Sequence, residues 1–296
     1  MIIVRLKGGM GNQMFQYALG RVLSIKNNVS LVLNIQTYED KNKRLFKSNF
    51  TIRSYDLDVF NIQARIAQNK EIPFIHRMYW KGKIMIFLDA IRRRILKHNG
   101  HELVFEQFDP KFLELGPNTY LDGYFQSFKY FEGFEDILKK DFSLKEIINK
   151  NIQDLANEIK KQNSLCIHIR RTDFVGNSYH EIVDKEYYNR GIEYIRKIGK
   201  IDKIYVFSDD IRWCKENIRF EFPTMFVGQE YVGKKNEGHL FLMSVCKYFV
   251  IPNSTFSWWG AWLSKREDKI VIAPTKWVRD ESVDINDIIE KGWVKI

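Results

Sequence analysis

The chain has 296 residues, 45% of them hydrophobic and 28% charged, which suits one or two globular domains in water and excludes a disordered or fibrous polypeptide. Its 47 Lys and Arg against 37 Asp and Glu leave a net charge of +10, favouring an anionic partner such as a nucleotide sugar, a nucleic acid or an acidic membrane surface. Three separated cysteines, Cys166, Cys214 and Cys246, argue against a disulfide framework or a zinc site and suit a reducing cytosol, and no apolar run approaches the ~20 residues that span a bilayer.

In chain order, residues 1–7 are too short for a signal sequence and read as a strand, Ile2 to Leu6. Gly8-Gly9-Met10-Gly11-Asn12-Gln13 turns that strand into a helix expected to begin near Met14, with Phe15, Ala18, Leu19, Val22 and Leu23 at helical spacing. The glycines permit a tight turn and close approach to a ligand. A dinucleotide fingerprint is disfavoured: from Gly9 its third glycine position is Met14, and the next strand, Val29 to Leu33, runs into Asn34 rather than an acid. Two readings stay open, a tight turn without a ligand, or a cleft loop in which Asn12 and Gln13 stand at the mouth.

Asp56-Leu57-Asp58 matches the short Asp-x-Asp pattern of metal-dependent glycosyltransferases, but Tyr55, Val59 and Phe60 around it read as the end of an amphipathic segment, so no metal site is expected. Between Phe74 and His98, the apolar residues Ile84, Phe87, Leu88, Ile91 and Ile95 fall on one helical stripe with Arg92, Arg93 and Lys97 toward the other side. Such a helix either lies on an anionic membrane surface or packs on its own domain with the basic face in water. Tyr120 to Ser127 reads as a strand into a turn, and Phe128, Tyr130, Phe131 and Phe134 read as core. A helix at Ile147 to Lys161 precedes three strand–turn–helix units, which imply a parallel sheet with helices on both faces.

The three turns of those units carry the chemistry. In the strand Leu165 to Ile169, side chains alternate, so His168 and Arg170 share a face opposite Leu165, Ile167 and Ile169. The strand ends at Arg171, Thr172 and Asp173, and ligands of open α/β sheets bind where strands end. Ser208-Asp209-Asp210 supplies carboxylate acceptors suited to the N–H edge of guanine or to ribose hydroxyls. Asn253, Ser254, Thr255, Phe256 and Ser257 surround a helix start, a natural anion site, where Ser254 or Thr255 also suits an N-cap. Together with the bidentate guanidinium of Arg170, they describe a nucleoside diphosphate.

Five motifs in one order, Gly8 to Ala18, Asp122 to Ser127, His168 to Asp173, Phe207 to Asp210 and Asn253 to Leu263, resemble those of the bacterial α-1,2-fucosyltransferases of glycosyltransferase family 11. The resemblance implies an α/β, GT-B-like fold of two Rossmann-like domains whose parallel sheets face a central cleft. Residues 1–150 would form the acceptor-side domain with Gly9, Gly11 and Gln13 at the cleft, and residues 151–296 the GDP-fucose-binding domain, with the C-terminal segment able to pack back on the first.

The implied reaction is inverting transfer of fucose from GDP-β-L-fucose to a galactoside-type acceptor of a surface glycan, with no metal and no other cofactor. Arg170, His168, Asp173 and Asn12 would be the catalytic set. Arg171, Ser208, Asp209, Asp210, Asn253, Ser254, Thr255, Phe256 and Ser257 would hold the donor, although Arg171 equally suits bracing its turn. Asp173 and His180 are base candidates on residue type; Asn12 cannot take a proton. Gly238-His239 after Glu237 departs from the acidic residue often found there, which leaves Glu237 without an expected role. Another GDP-sugar linkage and a non-catalytic basic binding protein are the rival readings, and no nucleic-acid motif is present. The expected location is cytoplasmic, with peripheral contact at the inner face of the plasma membrane; acceptor identity and oligomeric state are not legible.

Overall fold

The computed structural model describes residues 1–39, 53–73, 107–146, 149–171, 183–278 and 284–296. The basic stripe at 74–98, Thr172, Asp173 and His180 lie outside the described residues.

Two parallel sheets carry the chain. Strands β1 (Ile2–Arg5), β2 (Leu31–Asn34), β3 (Arg65–Ile66) and β4 (Thr119–Leu121) pair in the order β3-β2-β1-β4. Strands β5 (Ser164–Ile169), β6 (Lys203–Ser208), β7 (Thr224–Phe226), β8 (Tyr248–Val250), β9 (Ile270–Ala273) and β10 (Val294–Lys295) pair as β10-β9-β8-β5-β6-β7. All pairings between these strands are parallel. The helices are α1 (Met10–Lys26), α2 (Gln36–Glu39), α3 (Glu135–Asp141), α4 (Lys150–Lys160), α5 (Lys185–Ile198), α6 (Ile211–Asn217), α7 (Glu237–Ser244) and α8 (Thr255–Trp262). This is the expected GT-B-like α/β arrangement. The short strands β7 and β10, of three and two residues, escape sequence reading because so few positions carry no alternation.

Helix α1 starts at Met10, four residues before the expected start. Gly8 completes the turn alone by taking φ +79, and Gly9 stands at the N-cap in extended backbone. Gly11 therefore lies inside the helix, where its missing side chain serves packing. A Cβ there would sit 2.5–2.7 Å from the backbone of Thr255 and Phe256, so α1 and the start of α8 touch main chain to main chain. Trp259 Nε1 donates to Gly11 O at 3.0 Å, and the Phe15 ring lies 4.7 and 4.9 Å from the Trp258 and Trp259 rings. One core runs across both halves: Ile2, Val4 and Leu19 belong to the same cluster as Leu240, Phe249 and Trp258. A second cluster lies on the far side of β5, where Leu165, Ile167 and Ile169 meet Tyr187, Ile192 and Ile195 of α5, while Cys166 faces the first, as the alternation requires. Phe128, Tyr130 and Phe131 are core residues, as read, and the three cysteines are buried and free. The carboxyl-terminal segment reaches the first half: Asp287 accepts from Phe108 N at 2.7 Å and Lys129 Nζ at 2.6 Å.

Replacing Gly11 by alanine forces a methyl group into backbone that has no rotamer with which to yield, and overpacking of this kind costs about 1–3 kcal/mol. Gly116→Ala, where a Cβ would meet nothing within 4 Å, is the matched control. Urea unfolding should place Gly11→Ala clearly below the parent and Gly116→Ala at or slightly above it. Equal midpoints for the two variants would refute the backbone contact.

Candidate active site

In each sheet the strand order reverses at one place, and ligand crevices of open α/β sheets lie outside the carboxyl ends of the strands at such places. In the first sheet the reversal falls between β1, which leads to Gly8–Asn12, and β4, which leads to Asp122–Gln126. In the second it falls between β5, which leads to Arg170 and Arg171, and β8, which leads to Asn253–Thr255. Asn12 joins the two crevices: its Oδ1 accepts from Gln126 Nε2 and from Thr255 Oγ1, each at 3.0 Å. Three of the five motifs thus meet at one amide oxygen.

Burial leaves His168 4% exposed and pushes its imidazole down to about 3, with the neighbouring Arg170 charge adding to the effect and Asp209 opposing it. Its Nδ1 is buried without a hydrogen-bond partner among the described residues, and its ring centroid lies 6.0 Å from that of Phe256 in the first turn of α8. Arg170 Nη1 lies 3.1 Å from Asp209 Oδ2, while Asp209 Oδ1 accepts from Arg171 N at 2.9 Å. Arg171 turns away: its guanidinium carbon sits 3.4 Å from the centre of the Trp213 ring, and its Nε is 4.0 Å from Asp210 Oδ2. Asp210 Oδ1 caps α6 by accepting from Trp213 N at 3.1 Å, and Ser208 Oγ accepts from Asp210 N at 3.0 Å.

Both aspartates, expected to accept from base and ribose, also have partners within the protein, so neither is a bare acceptor: Asp209 lies against Arg170 and the backbone of the turn, and Asp210 caps a helix. Nor is Ser254 a capping residue, since its side chain makes no capping hydrogen bond. Ser257 Oγ donates to Ser254 O at 3.2 Å, and Thr255 donates to Asn12, so neither hydroxyl caps the first turn of α8. Its amides and the positive end of the helix dipole face the crevice. Asn253 Nδ2 donates to Trp277 O at 2.8 Å and secures the loop.

Of the residues read as an acceptor loop, Gly11 is occupied by the helix crossing and Gln13 is fully buried. The Gln13 amide nitrogen donates to Ser54 O at 2.8 Å, and its oxygen accepts from Asp56 N at 2.9 Å. Gly9 stands beside the Arg53 guanidinium, 3.7 Å from where its Cβ would be. The two acids of Asp56-Leu57-Asp58 have separate partners: Ser54 Oγ donates to Asp56 at 2.5 Å, and Asp58 pairs with Lys235 at 2.6 Å. Among the described residues, no group of three or more His, Cys, Asp or Glu side chains is placed to hold a metal ion. Glu237 accepts from the backbone N–H groups of Lys234 and Lys235, at 2.8 and 2.6 Å, a structural role.

Sequence reasoning missed a polar cluster on the β1–β4 side. Asp122 takes Arg5 Nη1 at 2.8 Å and Lys7 Nζ at 3.3 Å; burial opposes its ionised form, yet the two cations still hold its carboxyl below the usual range. Lys7 Nζ also sits 4.5 Å above the Tyr124 ring, and Tyr38 OH donates to Gly8 O at 2.9 Å. Phe125, buried, takes left-handed backbone at φ +52, which turns Gln126 back toward Asn12. The motif Asp122–Ser127 was the available signal; that Arg5, Lys7 and Tyr38 would gather there was not readable locally.

A family model described as Glycosyl transferase family 11 matches residues 1–296. An alpha-1,2-colitosyltransferase of Escherichia coli is 32% identical over 305 residues, covering 100% of this chain and 98% of the relative. The O-antigen biosynthesis glycosyltransferase WbnK, also of Escherichia coli, is 32% identical, covering 92% and 93%. A galactoside 2-alpha-L-fucosyltransferase of Caenorhabditis elegans is 26% identical, covering 91% and 71%. Among solved structures, NodZ alpha-1,6-fucosyltransferase co-crystallized with GDP has a TM-score of 0.50 at 14% identity, covering 88% of this chain and 91% of that one; the likeness is one of fold.

The buried imidazole carries a stability signature. Unfolded, His168 takes a proton below its ordinary value of about 6.5, whereas folded it refuses one until about pH 3. The unfolded state binds more protons between those limits, so this contribution is full above about pH 6.5 and is lost as pH falls. His239, lowered by the same cause, adds in the same direction. The melting temperature of the parent should fall from pH 7 to pH 5, and His168→Gln should flatten that slope; an unchanged slope would mean that His168 is protonated in the fold.

Proposed function

The chain belongs to glycosyl transferase family 11, and from that premise we propose that it transfers an L-fucose-type sugar from its GDP-activated form to a hydroxyl of a galactoside-type glycan. The linkage formed is α-1,2, with inversion and without metal, and the acceptor is a surface-polysaccharide precursor. The single observation that carries the reading is the junction at Asn12, whose amide oxygen accepts from Gln126 beyond the first sheet and from Thr255 beyond the second. The relatives that name α-1,2 transfer, O-antigen synthesis and galactosides support it.

The difficulty of the reaction lies in the charge that gathers on the departing diphosphate. Arg170 is the residue proposed to meet it: its pairing with Asp209 fixes the plane of the guanidinium before the substrate arrives. The uncapped first turn of α8, Thr255 to Ser257, offers amide donors to the second phosphate, with Asn253 and Ser254 shaping the loop. Neutral His168 offers its unpartnered Nδ1 to a donor oxygen without crowding Arg170 with a second charge. Arg171, stacked on Trp213, holds the turn instead of touching phosphate. With two such sources of positive potential, no cation is called for. On the acceptor side, Asn12 and Gln126 orient a hydroxyl and the Arg5–Lys7–Asp122–Tyr124 cluster holds the glycan; Asp173 and His180 remain the two base candidates.

A second reading concerns the donor sugar, because the full-length relative named above is a colitosyltransferase. Colitose is fucose without its 3-hydroxyl. A binding site that hydrogen-bonds that hydroxyl rejects the deoxy sugar strongly, whereas one that does not discriminates weakly.

Release of GDP from GDP-fucose and from GDP-colitose, with a panel of β-galactosides and with excess EDTA, tests these statements together. Activity should survive EDTA. Arg170→Lys keeps the charge but loses the fork, and removing one preorganised stabiliser costs on the order of 10²–10³ in turnover. Arg171→Lys should lose far less, with both variants melting near the parent. A dead Arg171→Lys beside an active Arg170→Lys would reverse the two assignments, and loss of activity restored by Mn²⁺ would overturn metal independence.

A further inference from the structure

A cavity of about 780 Å³ opens on a different face, between the end of α3, helix α4, helix α7 and the segment after α8. Its floor is apolar, built from Phe142, Leu144, Leu240, Phe241, Val245 and Leu263. Its rim is basic: Lys139, Lys145, Lys160 and Lys265 stand around it, beside an Arg266 that is paired with Asp268 at 3.3 Å. The two carboxylates at the rim are already committed, Glu146 to Lys234 Nζ at 2.6 Å and Glu237 to the amides of Lys234 and Lys235. Lys145, Lys160 and Lys265 are exposed.

An apolar floor under an excess of cations fits a molecule with a hydrocarbon part and an anionic head. A peptide fits less well, since its backbone N–H and C=O groups would lie over side chains unable to satisfy them, a penalty that an alkyl chain does not incur. We propose that this groove seats an anionic membrane lipid, its hydrocarbon over Phe142, Leu144, Phe241 and Leu263 and its phosphate among Lys145, Lys160 and Lys265. The inference stands on this surface alone and is independent of the transferase reading. Among the described residues, no helix is long and apolar enough to cross a membrane.

Flotation with vesicles of phosphatidylcholine containing about a third phosphatidylglycerol, against pure phosphatidylcholine, tests it. The parent should bind the first and not the second. A net charge of +10 alone would also favour anionic vesicles, so the variants carry the distinction. Each basic residue at an anionic surface is worth about fivefold in partition, so Lys145→Glu with Lys265→Glu should lose at least about tenfold. The same charge change on exposed α5, Lys185→Glu with Lys197→Glu, should lose less than about threefold. Phe241→Ser, with Leu144→Ser as the alternative should the first variant melt early, should weaken binding with no change of charge. Equal losses from both charge pairs, or unimpaired binding by the serine variants, would overturn the proposal in favour of diffuse attraction through net charge.

Discussion

Two helices that touch backbone to backbone hold the rest of this molecule in place. Because Gly11 of α1 lies against Thr255 and Phe256 of α8, each following residue of α1 is aimed by helical rotation of about 100° per step. Asn12 comes to face the cleft, where it gathers Gln126 and Thr255. Gln13 turns inward and fastens the 54–56 segment, while Gln16 holds both backbone groups of Lys7 at 3.0 and 3.2 Å. Around that crossing, Phe15, Phe131, Trp258, Trp259 and Trp262 pack mostly tilted or edge to face, geometries that add about 0.5–1.5 kcal/mol per pair to their burial.

Charge in the cleft is arranged with similar economy. Arg170, Arg171 and His168 are close in sequence, and three cations side by side would repel one another. The structure separates them: Asp209 neutralises and orients Arg170, Trp213 takes the face of Arg171, and burial keeps His168 uncharged. Among the described residues of these turns, the Arg170 guanidinium and the dipole of α8 stand at the crevice. On the opposing wall, Asp122 likewise binds two cations, so that Arg5 and Lys7 stay beside Tyr124 without making that wall purely positive.

Much of this was legible in the sequence, and the boundary of legibility has a physical origin. Alternation along β5 told which side chains share a face, and the strand–turn–helix rhythm told that the sheet is parallel, because both are local periodicities. The five motifs told the family. Which distant group satisfies a polar side chain was not legible: Gln13 read as a residue at the mouth of a cleft loop yet is buried, its amide taken by Ser54 and Asp56. Asp209 and Asp210 read as ligand acceptors, and the partners they also have within the protein, Arg170 and the first turn of α6, were not legible. Gly11 looked like part of a turn because its true neighbour lies 244 positions further on, at Thr255.

That neighbour has a bearing on how the molecule moves. Halves that meet only through side chains can adjust by rotamer changes; where two main chains lie in contact, no rotamer change can adjust the fit. A relative motion of the two sheets that kept this contact would pivot about the α1–α8 crossing. A pivot set beside Asn12 and Thr255 leaves groups next to it almost stationary while the outer rims of the cleft travel furthest. Substrates can then enter and leave through wide excursions at the mouth while the short hydrogen bonds at the centre persist. The rim of the cleft is thereby free to vary between relatives without disturbing the packing that holds Asn12 and Thr255 together.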